Sequence, residues 1–570
     1  MALKLAGFRF APLCLITVIM LSVMSGALIL NGRSQAASSY YYKFTVDGDG
    51  FTNVEIDFSS TSSSGSSWVF VPKFQNWTRT VSSGTITQSQ IVATDQVPEF
   101  SESLYFYQAF TFNYQSLQGF FNMTIRFDFD NGALIIEPRG VFYSPYIGFQ
   151  PSSDGQAEVI FPSNFNVDPS LAMVIGSARG YTVTSAQSNH VLTDLPENVV
   201  RVQIEFNTQL TAPNITPLKS ADNHTFTFNS VTRYKDYAGK LLTFYDRIYA
   251  NFTSLFNVTL DNVVLQWFLP DFQSLLAVGG FVPVVAGERL GEININVVFI
   301  RAVNGTSEVI AAHELVHRFL GRAGVSPNDF LWFHEGMAQY ESLRITTAMG
   351  YPGAMQEKDN MEQGSTTLIG FLGGQNFGFL EAWTPSQTPA DIGNYYIAAY
   401  YVVSRLEQRS RSDFYENFFK IINGATVDTI NNLAFHMSEA ANASVAITLQ
   451  NWGFNVVDLY SSPDVRDRIL EAQEAIAAVN PFFQPYKFLA EYYYRRGLTS
   501  IEQGNTQSGM SLLQQSITIA DLAPLLTFLT ILAIVALLIA VIWIMLRRKP
   551  APTVPQAPVV VQPPTVETGP

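Results

Sequence analysis

Between Leu522 and Leu546 the chain carries a nearly uninterrupted apolar stretch, and Arg547, Arg548 and Lys549 follow it at once. A run of that length has one comfortable home: as a helix it satisfies its own backbone groups and crosses about 30 Å of hydrocarbon. The basic triplet predicts which end stays in the cytoplasm. The expectation is one membrane-spanning helix over 522–546, a cell-membrane location, and residues 37–521 facing outward. The tail, 547–570, with its repeated Pro among Val, Thr and Gln, reads as an extended cytoplasmic segment. At the other end, Lys4 and Arg9 precede an apolar run from Ala11 to Leu30, and Ser34-Gln35-Ala36 offers a small-x-small cleavage site. Residues 1–36 therefore read as a signal peptide or an uncleaved anchor, and both versions export the residues from Ala37 onward.

A chain of 570 residues, 47% hydrophobic and 13% aromatic, has material for several buried cores. Its 33 Lys and Arg against 47 Asp and Glu leave a formal charge of -14, which argues against nucleic acid as a partner. The single cysteine, Cys14, lies in the N-terminal apolar run, so the outward part is held without disulfides. Sequons begin at Asn76, Asn122, Asn214, Asn223, Asn251, Asn257, Asn304 and Asn442, all between the two apolar segments, and glycans on these asparagines are expected.

From Tyr40 to about Thr208 apolar residues recur with period two. Tyr42, Phe44 and Val46, then Asp47-Gly48-Asp49-Gly50, then Val54, Ile56 and Phe58 predict a hairpin. Further strands are predicted over Met123 to Phe129 and Val200 to Phe206. After about residue 212 the period changes. Tyr234, Tyr237, Ala238, Leu241, Tyr245, Ile248 and Phe252 predict a helix, Val263 to Leu269 and Ile293 to Ile300 predict strands, and a Gly-rich loop through Gly279-Gly280 and Gly287 joins them.

The next stretch reads A-A-H-E-L-V-H-R-F-L from Ala311 and, after a short loop, F-H-E-G-M-A-Q-Y-E from Phe333. His313 and His317 are four apart and so share one face of a helix, where they can grip one ion with Glu314 beside them. Two imidazoles and a carboxylate with one open position suit zinc, and Glu335 is the natural third ligand. Zinc held there lowers the pKa of a bound water towards roughly 7. Glu314 then serves as the base that takes the water's proton and returns it to a leaving amine, and a tyrosine hydroxyl is expected opposite the metal to meet the developing oxyanion. Only six histidines exist in the chain, which makes the pairing of two of them informative.

His313-Glu314-x-x-His317, seventeen intervening residues, then Glu335-Gly336-x-Ala338-x-Tyr340 resembles the aminopeptidase N family of gluzincin metallopeptidases and, less closely, the glycyl aminopeptidases. The spacer is one residue shorter than is usual there, and His334, where the family has Asn, is a rival ligand. The resemblance implies an all-β domain, a thermolysin-like catalytic domain and a helical C-terminal region. It also implies an oxyanion-stabilising tyrosine, for which Tyr396 is the positional match with Tyr395 and Tyr400 as alternatives. The family's G-x-M-E-N segment, whose glutamate holds the substrate's α-amine, is missing. Glu292 is its candidate substitute, with Glu288 behind it.

The resulting expectation is an α+β multidomain chain: 37–212 all-β, 213–410 a thermolysin-like zinc peptidase domain, and 411–521 a helical region and stalk. Phe414 to Ala446 and Pro463 to Asn480 read as helical, Phe488 to Ile517 as two short helices about Gln503-Gly504-Asn505, and Gly364 to Gly378 as a loop. The function expected is a membrane-anchored extracellular zinc metallopeptidase acting on peptides or proteins, an aminopeptidase by resemblance. The alternative is a surface scaffold or adhesion protein on an inactive peptidase fold, and a hydrolase of epoxides or esters on the same scaffold is a third reading.

Overall fold

The structure is a computed structural model that describes residues 37–547, apart from 197, 223–225, 272–274, 286–288, 388, 424–426 and short stretches within 168–188. The signal or anchor segment, Glu288, Asn223 and the tail from Arg548 onward lie outside the described residues. Two compact units emerge, one running to Leu368 and resuming over Thr384–Ser404, the other formed by Ile369–Trp383 with the residues from Arg405 onward.

The first unit begins β-rich, as the period-two spacing predicts. Ser38–Val46 pairs antiparallel with Thr52–Ser60, and Asp47 closes their turn by accepting from the Asp49 and Phe51 amides at 2.9 and 3.0 Å. Alternation puts Tyr42, Phe44, Val54, Ile56 and Phe58 on the buried face of a seven-stranded sheet that also holds Phe121–Phe129. A three-stranded sheet supplies Phe110, Phe112 and Tyr114 to the same core, where Phe58 and Phe112 meet edge to face at 5.2 Å. Burying this many rings is what lets a chain without disulfides hold a stable sandwich.

Hydrogen bonds and ion pairs tie these sheets to the next segment of the chain. The Tyr234 hydroxyl accepts from the Ile135 amide at 2.7 Å, Arg233 pairs with buried Glu137, and Arg301 donates to the Tyr143 carbonyl at 2.6 Å. Beyond them lies a five-stranded sheet of β1 (Ile215–Lys219), β2 (Phe226–Val231), β3 (Val263–Phe268), β4 (Gly280–Phe281) and β5 (Ile293–Asn296), in the order β1-β2-β3-β5-β4. β3 and β5 are parallel, whereas β4 is antiparallel to β5 and forms the edge. Helix α1 (Lys235–Phe256) buries Leu241, Tyr245, Ile248 and Phe252.

Two expectations are corrected here. The strand predicted over Ile293 to Ile300 ends at Asn296, and Val297–Arg301 is a 3-10 helix. Its cause is local: the Asn296 side chain accepts from the Val298 amide at 3.0 Å, an Asx-type cap that turns the chain out of the sheet. The same buried side chain donates to the Leu275 and Val278 carbonyls at 2.8 and 2.7 Å, so it also fixes the approach to β4. Second, the loop expected from Gly364 to Gly378 begins only at Gly373: α4 (Pro352–Leu372) runs through Gly364 and Gly370. Packing overrides composition, since a Cβ on Gly364 would stand 2.9 Å from the Ile397 side chain, and the bare backbone is what that contact accommodates.

The second unit is helical: α6 (Phe414–Ile422), α7 (Ile430–Ala441), α8 (Val445–Asn451), α9 (Pro463–Ala478), α10 (Gln484–Glu502) and α11 (Thr506–Arg547). The two short helices predicted about Gln503-Gly504-Asn505 are corrected to one ordinary helix and one of 42 residues. The helix continues unbroken from Thr506 into the apolar run, and Pro524 is absorbed inside it. Phe528, Leu537 and Ile539 are 62 to 66% exposed, so this helix is apolar and long enough to cross a membrane and its apolar part is not covered by protein.

Candidate metal centre

Helix α2 (Thr306–Arg322) forms because Val309, Ala311, Ala312, Leu315, Val316, Phe319 and Leu320 recur at helical spacing and are buried. Gly305 starts it with φ 101°, a conformation that leaves a side chain strained, and a Cβ there would strike the Tyr351 side chain at 2.4 Å. The Tyr245 hydroxyl donates to the Ala311 carbonyl at 2.8 Å and pins the helix to α1. Its remaining face carries His313 and His317, half-buried, with Glu314 buried beside them.

Helix α3 (Leu331–Ala348) brings Glu335 to that face. His313 Nε2 lies 3.1 Å and His317 Nε2 3.6 Å from Glu335 Oε2, and the ligand atoms of all three residues fall within 4.8 Å of one another. A tetrahedral ion with bonds of about 2.1 Å separates its ligand atoms by about 3.4 Å, so this donor set fits zinc in spacing and in chemistry. The spacer of seventeen residues is thus long enough for Glu335 to meet both histidines.

His334 is buried and turned away from the cluster's centre. Its Nε2 donates to the Val325 carbonyl at 2.8 Å, which leaves Nδ1 as an acceptor facing His317 Nδ1 at 3.3 Å. The bonding pattern assigns the proton between those two nitrogens to His317, and a His317 protonated at Nδ1 has its Nε2 lone pair free for a metal. The sequence alone marks His334 as a competitor for the ion; the structure makes it a hydrogen-bond partner of His317. Its replacement of the expected Asn is the signal that it has a particular task.

Electrostatics follow from burial of opposite charges. Burial alone would raise the Glu335 carboxyl, but His317 and His313 hold it well below the usual carboxylate range. Burial would lower His317, and the Glu335 charge outweighs it and raises the imidazole above its ordinary value. Glu314 is raised by burial, partly offset by the two histidines. Burial, reinforced by His317, lowers His334 to about 3 and so keeps it neutral.

Helix α5 (Ile392–Arg409) delivers Tyr396. It comes this close because position 336 is glycine: a Cβ there would stand 2.6 Å from the Ala399 carbonyl oxygen and 2.7 Å from Val403. The Tyr396 ring lies 6.5 Å from that of His313, its hydroxyl bonds Glu335, and the Glu335 charge followed by burial drives its pKa far up. Tyr400, by contrast, is occupied with Glu362 at 3.0 Å. Glu292 is exposed, just ahead of β5. It precedes Ile295, the residue opposite Gly280, by about 10 Å of strand.

Gly280 belongs to a stretch that reads as loop in the sequence and forms an edge strand in the structure. A Cβ at Gly280 would stand 2.8 Å from Glu314 Oε1 and 2.8 Å from the Asn294 carbonyl oxygen, so only glycine lets the edge strand lie against the carboxylate. The paired glycines before an apolar run are the available signal.

Neither a protein-family model nor a curated protein sequence matches the chain. Among solved structures it is similar to native yeast LTA4 hydrolase, with 13% identity over 78% of this chain and 73% of that one at a TM-score of 0.30. A second structure, leukotriene A4 hydrolase from Saccharomyces cerevisiae, gives 13% identity over 78% and 72% at 0.32. Likenesses at that level carry no functional argument.

Proposed function

We propose that the chain is a zinc metallopeptidase, with a thermolysin-like domain over 213–410, anchored in the cell membrane by α11 and acting outside the cell on peptide substrates. The observation that carries the reading is the convergence of His313, His317 and Glu335 with buried Glu314 lying between the metal ligands and an open sheet edge. His313, His317 and Glu335 would hold the ion, which supplies an acidified water and polarises the substrate carbonyl. Glu314 would accept a proton from a water placed there and return it to the leaving nitrogen. The Tyr396 hydroxyl, released from Glu335, donates to the carbonyl oxygen as charge develops there. His334 keeps His317 in the ligating tautomer.

The edge strand supplies binding. Among the described residues β4 has a strand neighbour on one side only, so an extended peptide can add to it through backbone hydrogen bonds and lie across Glu314. β4 itself, Gly280-Phe281, carries no carboxylate. N-terminal trimming therefore makes Glu292 the first group to examine as an amine anchor.

The test is a mixed peptide library incubated with the zinc-loaded full chain in detergent, with products read by mass spectrometry beside Glu314→Gln. Loss of single N-terminal residues, abolished in the variant, establishes an aminopeptidase. Internal cuts abolished in the variant establish an endopeptidase. An untouched library with zinc stoichiometrically bound removes peptide hydrolysis as the activity.

A further inference from the structure

The α9–α10 turn exposes large apolar side chains where a soluble protein would hide them. Phe482 is 72% exposed and Phe488 59%, with Leu489 and Tyr492 also exposed. Phe488, Leu489 and Tyr492 share the α10 face opposite buried Ala490, and Phe482 projects from the turn before it, while the packed side is well filled: Val479, Ala490, Ala520 and Ala523 form a buried cluster joined by Ile476, Phe483, Tyr486 and Ile519. Side chains that have a core within reach and yet turn outward together mark a surface that something covers.

Hydrogen bonds set that surface against a definite part of α11. Ser516 Oγ donates to the Ala490 carbonyl at 2.7 Å, so antiparallel pairing sets Phe488 and Leu489 level with about residues 516–518 and the turn at Phe482 level with about Leu522 to Leu525, while the Tyr486 hydroxyl reaches on to donate to the Leu526 carbonyl at 3.2 Å and to bond Thr530 Oγ1. Arg547 closes the apolar stretch at its far end. A bilayer core of about 30 Å takes about 20 helical residues, and counting back from Arg547 puts its outer boundary near Thr527. The full stretch from Leu522 would run about 37 Å, more than the core needs. Phe482 thus falls at the start of the apolar stretch, and Phe488 and Leu489 about one turn outside Leu522, at the interfacial depth where aromatic rings are favoured.

Polarity along α10 follows the same axis. Gln484 and Lys487 lie among the apolar residues near the turn, as suits headgroup depth, and exposed Arg495 and Arg496 come two to three turns later. Pro481 and the Asn480 side chain, which accepts from the Phe482 amide at 2.9 Å, fix the turn that carries Phe482 furthest down.

We propose that the α9–α10 turn and the first two turns of α10 form a collar seated at the outer membrane interface, with Phe482 contacting lipid beside the spanning helix and Phe488 and Leu489 among the headgroups. The inference rests on the reading that α11 spans the membrane. The bilayer is the occupant because the turn that carries the patch ends at the level where α11 becomes apolar and exposed, at Leu522, Leu525 and Phe528. Two anchoring elements in place of one would hold the stalk at a set depth and resist its tilting.

Spin labels test this in the full chain, in a Cys14→Ser background reconstituted in phosphatidylcholine nanodiscs. Labels at Phe482→Cys, Phe488→Cys, Leu537→Cys and Thr499→Cys are compared by collision with oxygen and with a nickel chelate. The expected result is oxygen-dominated collision at 537, nickel-dominated collision at 499, and at 482 and 488 nickel collision several-fold below that at 499 with oxygen collision above it. Labels at 482 and 488 that behave like 499 while 537 remains in lipid would overturn the collar and leave the span intact. A label at 537 that is open to nickel would overturn both.

Discussion

Two helix pairs in this chain, α2 with α3 and α10 with α11, solve opposite problems. The first pair buries polar groups: His334 and Glu314 are almost entirely out of water, His334 held by hydrogen bonds to the Val325 carbonyl and His317, and Glu314 lying among the charges of His313, His317 and Glu335. The second brings glycines together, Gly497 against Gly509, with a Cβ at Gly509 falling 2.7 Å from the Gly497 carbonyl oxygen, and continues into a helix that sheds polarity altogether. Polar burial is conditional on protonation and on metal, whereas apolar contact at Gly497 and Leu513 is not. The protein should therefore respond to pH and to metal at the first pair and stay indifferent at the second.

Glu314→Gln separates the pairs most sharply. It should lower peptide hydrolysis by about 10²–10⁴-fold while zinc binding stays within a few fold, because Glu314 moves the proton and holds no ligand position. Steady-state rates together with calorimetric zinc titration check this. An equal loss of both would make Glu314 a ligand.

His334→Leu comes next. Without an acceptor for His317 Nδ1–H, zinc affinity should fall about 10- to 100-fold. The same variant bears on stability. An unfolded histidine titrates near about 6.5, while His334 stays neutral down to about 3. As pH falls below about 6.5 the unfolded chain takes up a proton that the folded chain refuses, so stability present above that pH is lost progressively towards about 3. His334→Leu should therefore decline less steeply over that window, measured by chemical unfolding at neutral pH and about two units below the unfolded value. A parallel decline in both proteins would remove His334 as the cause.

At the other pair, Gly497→Val inserts atoms against Leu513 and the Gly509 carbonyl, at 2.9 and 3.1 Å already for the first carbon. Overpacking of that kind costs about 1–3 kcal/mol. The helical unit's unfolding temperature should drop and zinc affinity should not change. A loss of zinc affinity would show that the two pairs are coupled.

The mildest change is the pH dependence of zinc uptake. A protonated imidazole cannot ligate, and His317 is raised above its ordinary value by Glu335. Apparent affinity should start to weaken above about pH 6.5 as pH falls and lose about tenfold per pH unit for that proton. Zinc titrations stepped down from mildly alkaline to mildly acidic pH read it, and an onset well below the ordinary histidine value would contradict the His317–Glu335 pairing.

How much of this was legible follows from the range of the forces involved. His313, Glu314 and His317 declare themselves because helical spacing is local, and Glu335 because it opens the next helix after a short loop. The hairpin from Tyr42 to Phe58 declares itself because alternation over a turn of Asp and Gly has one simple outcome. Hidden features depend on distant partners. Ile293 to Ile300 is apolar enough for a strand, and the Asn296 side chain, held by the distant Leu275 and Val278 carbonyls while it caps Val298, ends it early. Gly364 suggests a loop until Ile397 is seen against it. Gly279-Gly280 looks like a linker until Glu314 occupies the space a side chain would need. Helix α11 hides the join between stalk and apolar run because no residue at Asp521 or Leu522 breaks it.

The decisive measurement is X-ray absorption at the zinc edge on the zinc-loaded full chain. Two imidazole nitrogens and carboxylate or water oxygens are predicted at about 2.0–2.2 Å, with the number of coordinated histidines unchanged by His334→Leu. A third imidazole that disappears in His334→Leu would contradict this, because His334 would then be a ligand and the His317 tautomer would need another explanation.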